Sequence, residues 1–137
     1  MSNRFLRIAL AILDIFLGVT AIGGGVGLLL GLNAPPVEML AGSPFKDYVI
    51  PGLALLVLVG GSGMVAGILT LRRHPLAPLA SGAVGLMIIV FEIVEVFAIG
   101  SDPGAARTLQ IFYFSLGLLI VVLAFLQWRG ERAQAAA

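Results

Sequence analysis

Long apolar runs alternate with short polar breaks marked by proline along this chain, four runs and three breaks in all. The runs extend over about residues 5–32, 48–71, 79–99 and 109–128. Each reaches the roughly 20 residues that a helix needs to cross the hydrocarbon of a bilayer. Backbone N–H and C=O groups find no water there, so a spanning segment must satisfy them internally, and a helix does so. The pattern predicts an all-α, polytopic membrane protein: one domain over residues 1–137, folded as a four-transmembrane-helix bundle. The first run is too long for a secretory signal, carries Asp14 in its apolar stretch and lacks a small-x-small cleavage site, so it is expected to be retained.

The breaks carry recognisable turn chemistry. Asn33-Ala34-Pro35-Pro36 is expected to end helix 1, because proline cannot continue a helix and restricts the residue before it. Ser43-Pro44 reads as an N-cap with proline at the first helical position, opening helix 2 or a lead-in to it. Pro51 falls inside the second run and is expected to kink it. Pro75 and Pro78 bound the second break, Asp102-Pro103-Gly104 makes the third, and residues 133–137 read as a frayed tail.

Charge then orients the bundle. Of eight Lys and Arg residues, Arg4, Arg7, Arg72, Arg73, Arg129 and Arg132 fall on one side, and Lys46 and Arg107 on the other. The side richer in Lys and Arg faces the cytoplasm in such proteins, so both termini and the Arg72–Pro78 break are expected there. Trp128 and Tyr48 sit near run ends, where interfacial aromatics gather.

Small residues point to packing faces, since membrane helices associate by close approach and interhelical hydrogen bonds. Gly60, Gly63 and Gly67 make one stripe of helix 2. Helix 1 offers two: Asp14, Gly18, Ala21 and Gly25 on one side, and Gly23, Gly27 and Gly31 on the other. On helix 3, Ser81, Gly85, Ile88, Glu92, Glu95 and Ile99 repeat at 4-3-4-3-4 and share a face, opposite the wholly apolar Leu86, Val90 and Phe97. The comparable stripe of helix 4 is Gln110, Tyr113, Gly117, Ala124 and Trp128. Two glycine-bearing faces on helix 1 suggest a homo-oligomer or a subunit of a larger membrane complex. Gly23-Gly24-Gly25 suggests a bend or partial unwinding, glycine being a costly residue inside a helix.

Composition narrows the chemistry. Hydrophobic residues make up 60% of the chain and charged ones 11%, far from soluble usage. The net charge of +1, with no basic run, argues against nucleic acid as a partner and leaves membrane lipid. Absence of cysteine removes disulfides, iron–sulfur clusters and thiolate metal sites, and a single histidine, His74, removes bis-histidine haem. No cofactor or metal is predicted. His74 lies in Arg72-Arg73-His74-Pro75, a basic loop at headgroup level.

Asp14, Glu92 and Glu95 are therefore the candidate functional residues, since an acid in the hydrocarbon costs several kcal/mol unless paired or neutral. At about 1.5 Å per residue, Asp14 lies roughly 10 Å inside one end of helix 1, and the glutamates about 11 and 6 Å inside the far end of helix 3. Gln110 and Tyr113 enter at a depth similar to Glu95, with Arg107 at that end. One reading is structural: Glu95 pairs with Arg107 or water, and Glu92 bonds Tyr113, Gln110 or backbone. The functional reading is proton- or cation-linked transport or binding through these carboxylates, because two acids one turn apart repel when both are ionised and a proton or cation relieves them. The alternatives are a non-catalytic accessory or assembly subunit, and a small membrane enzyme or lipophile-binding protein using Glu92 and Glu95 as an acid–base pair. No nucleophile or phosphate-binding motif favours catalysis.

The stretch from Ser43 to Leu53, followed by Val59-Gly60-Gly61, resembles a segment of uncharacterised bacterial four-helix integral membrane proteins. That resemblance implies a bacterial inner-membrane setting and no particular activity. Four short helices with a membrane acid are also similar to small multidrug transporters. Their essential glutamate lies in the first helix, where this chain has Asp14.

Overall fold

The computed structural model describes residues 3–32 and 34–136. It contains four long helices: α1, Asn3–Leu30; α2, Val49–Leu71; α3, Ala77–Ile99; and α4, Ala105–Ala136. A single 3-10 turn, Val37–Leu40, lies between α1 and α2. All four helices are long and apolar enough to span a membrane, and no strand occurs among the described residues.

The helices form a ring. α1 and α3 each pack against both α2 and α4, whereas α2 and α4 do not meet among the described residues. Leu10, Leu17, Ala66, Ile88 and Ile120 fill the centre. The outside is apolar too: Leu86, Val90 and Phe97 of α3 are exposed, Phe97 at 86%. A bundle apolar inside and out cannot rely on hydrophobic burial for its packing in lipid and must rely on close contact.

Glycine supplies that contact. A Cβ at Gly63 of α2 would lie 2.9 Å from the Asp14 carbonyl oxygen and from the Gly18 backbone of α1. Gly18 itself faces Met64, and Gly25 lies against the Gly52 carbonyl and Leu56. Gly60 and Gly67 sit under Ile22 and Ile15. Gly85 and Gly117 bring α3 and α4 together in the same way, each opposing the other's carbonyl. Beside Gly23, by contrast, there is open space.

Several local expectations are overturned. Gly23-Gly24-Gly25 stays helical, because α2 clamps Gly25 and tertiary packing outweighs propensity. α1 ends not at the prolines but at Gly31, whose φ of 73° closes a Schellman motif: Gly31 N–H donates to Leu28 O and Leu32 N–H to Gly27 O. Asn33 lies outside the described residues. Ser43 does not cap α2; its hydroxyl accepts from Phe45 N–H in a preceding bend, and Asp47 Oδ1 accepts from Val49 N–H at the helix start. Pro51 falls in the first turn of α2, where the missing N–H costs nothing, so it need not kink the helix. The irregularity lies further on, in a π-helical segment over Ala54–Gly61. Pro78 lies within the first turn of α3. Residues 133–136 continue α4, as their alanine- and glutamine-rich sequence permits, and Ala137 lies outside the described residues.

Candidate functional site

Polar side chains gather at two depths, towards opposite ends of the bundle. The start of α1, the end of α4 and the α2–α3 turn share one end, where Asn3 lies against Gly130. Inside that end is Asp14, fully buried. Ser81 of α3 donates its hydroxyl to Asp14 Oδ2 at 2.6 Å, and Thr70 of α2 lies 3.3 Å from the Ser81 oxygen. Thr70 in turn donates to the Ala66 carbonyl. The cluster ties three helices together, and Asp14 Oδ1 has no protein partner.

Towards the other end, Glu92 and Glu95 lie one turn apart on α3, close enough for their carboxyls to interact. Two carboxyls this close repel when both are ionised, which favours a proton or cation between them. Gln110 of α4 donates its amide to Glu95 Oε2 and to the Gly100 carbonyl, each at 3.0 Å. Glu92 is 6% exposed, and its Oε2 is unpartnered, as is Gln110 Oε1. The sequence allowed Arg107 to pair with Glu95. Instead its guanidinium donates to the Ser101 carbonyl, tying down the turn before α4. Tyr113 makes no hydrogen bond to Glu92; its ring packs edge-on against Phe112. Asp14 does not join the glutamates.

The two glutamates meet different openings. Glu95 lies in the wall of a cavity of about 420 Å³ between α2 and α3, otherwise built of apolar side chains and Tyr48. Ala54, Leu58 and Val59 of the π-helical segment line it. Ile50, Leu58, Leu86 and Val90 on its wall remain exposed, so it opens on the side of the bundle. Tyr48 is buried above Glu95, and its hydroxyl donates to the Pro36 carbonyl at 3.3 Å. Glu92 faces a second groove, between α3 and α4, lined also by Ser101, Gln110 and Ser115.

Two polar residues escaped the sequence reading. Thr70 is buried against Ser81, and Gln127 is the buried member of its turn on α4 at 7% exposure. Trp128, expected on the packed stripe, turns outward, with Arg132 stacked 5.0 Å over its ring. Among the described residues, no group of three or more His, Cys, Asp or Glu could hold a metal ion. No family model, curated protein or solved structure matches this chain.

Proposed function

We propose that this chain is a membrane-embedded binding or transport protein for lipophilic cations, with Glu95 as counter-ion and Glu92 as its proton partner. The observation that carries the reading is the 420 Å³ cavity, whose apolar wall holds one charged side chain, Glu95. A ligand with a broad apolar body gains from such a wall, at about 25 cal/mol per Å² buried. A neutral polar group set against Glu95 would add roughly 1 kcal/mol. A cation about 4 Å away would add about 4 kcal/mol at an effective dielectric near 20. The charge complement therefore favours a cation over a neutral lipophile.

The carboxyl pair supplies the coupling. A cation entering beside Glu95 competes with the proton held between Glu92 and Glu95, and the displaced proton leaves past Glu92 into the groove that contains Ser101, Gln110 and Ser115. The lateral mouth suits entry from the lipid. The six-to-two bias of basic residues supports cytoplasmic termini, and the faint likeness to bacterial four-helix proteins supports an inner-membrane location. The unfilled space beside Gly23 supports assembly with a second copy or another membrane subunit.

Calorimetric titration of the detergent-purified protein with tetraphenylphosphonium in weak buffer tests the reading. The wild type should bind and release protons, and Glu95→Gln should bind at least about tenfold more weakly. Glu92→Gln should bind without the proton release. Equal affinity of wild type and a correctly folded Glu95→Gln protein would sink the reading.

A further inference from the structure

A second cavity, of about 320 Å³, lies at the end of the bundle where α1 begins and α4 ends, and its chemistry is opposite to that of the first. Arg4 and Arg7 of α1 enter it from one side, and Arg73 and His74 of the α2–α3 turn from another. Glu131 is the one carboxylate among the described residues of its wall, leaving an excess of positive charge. No ion pair occupies these arginines among the described residues. His74 adds a donor: Leu76 N–H donates to its Nδ1, which leaves the proton of the neutral ring on Nε2.

Gln127, more than nine-tenths buried, also lines this cavity. One further observation points to a ligand. Arg73 is the only non-glycine among the described residues with positive φ, at 55°. It occupies the Schellman position that closes α2, with Arg73 N–H donating to Thr70 O and His74 N–H to Leu69 O. α1 ends in the same motif with Gly31. Placing arginine where glycine fits better puts a cationic residue on the wall of the cavity, and a strained residue of this kind points to a binding role.

We propose that this vestibule binds a phosphate group. The arginines and the His74 Nε2–H donate to its oxygens. An anionic phospholipid headgroup and hydrogen phosphate from solution both offer this chemistry. The site is independent of the Glu95 cavity, which lies in the other half of the bundle.

Two measurements on the detergent-purified protein test the proposal and separate the sources. Binding of inorganic phosphate is followed by calorimetry at constant ionic strength. Retention of phosphatidylglycerol over phosphatidylcholine is followed by native mass spectrometry. Lipid retention without phosphate binding assigns the headgroup, and phosphate binding without lipid preference assigns the soluble ion. In either case Arg73→Gly should weaken binding about tenfold or more, while melting of the unliganded protein is unchanged or higher. Arg7→Gln should weaken it similarly. The proposal is overturned if the wild type binds neither probe, if chloride at equal ionic strength replaces phosphate, or if both variants bind as the wild type does.

Discussion

Single side chains in this bundle trade local strain or burial against contacts that only they can make. Arg73 holds a left-handed backbone at a cost of about 1–2 kcal/mol relative to glycine. Chemical or thermal unfolding of Arg73→Gly should therefore show a gain of about 1 kcal/mol. A loss of that size would mean the guanidinium stabilises the fold itself. Tyr48, just ahead of α2, shows the other kind of trade. Its burial, and then the nearby Glu95 and Glu38 carboxylates, push the phenol above its ordinary value of 10.0. The folded chain holds that proton more tightly than the unfolded chain does. The contribution to stability is complete below pH about 10 and is lost as pH rises through the folded value. The melting temperature should fall from pH about 9 to 11 in the wild type and fall less in Tyr48→Phe. That variant should start slightly lower, having lost a long hydrogen bond worth about 0.5 kcal/mol. Parallel pH profiles would show that the phenol is not the responsible group.

At the scale of helices, glycine position matters more than glycine number. Gly63→Ala drives a methyl against the Asp14 carbonyl and Gly18 backbone at 2.9 Å, and backbone cannot step aside without parting α1 from α2. It should cost about 1–3 kcal/mol. Gly23→Ala meets nothing and should add up to about 1 kcal/mol of helix propensity. Melting of the two variants in one detergent compares them directly, and shifts of the same sign would contradict the packing argument. Part of this architecture was legible in the sequence. On α3, two acids at a three-residue spacing break an apolar run, so polarity alone marks a face. On α4 the inner and outer faces are both apolar, and three or four steps from Ala124 reach Gln127 or Trp128 with equal claim. Only packing against α1 and α3 decides for Gln127. The Asp14–Ser81 bond links residues 67 positions apart, and local spacing cannot register such a pair. Nor does any residue type announce the π-helical segment, since Ala54–Gly61 is uniformly apolar or glycine.

Across the whole molecule the two ends differ in charge. One end gathers Arg4, Arg7 and Arg73 around a polar vestibule, above the Asp14 cluster. The other buries a pair of glutamates beside an apolar chamber. Basic residues resist translocation during insertion, so the arginine-rich end should remain in the cytoplasm, and the turn between α3 and α4 should reach the opposite face. Single cysteines distinguish the sides cleanly because the chain has none of its own. Ala41→Cys and Asp102→Cys lie at exposed positions beyond the far ends of α1 and α3, and Arg129→Cys at an exposed position near the basic end. In intact cells a membrane-impermeant maleimide should label the first two and spare the third until the membrane is opened. The reverse pattern would invert the bundle and put the phosphate-binding vestibule outside. Labelling of Ala41→Cys without Asp102→Cys would break the four-span topology itself, since both loops must emerge on one side if all four helices cross.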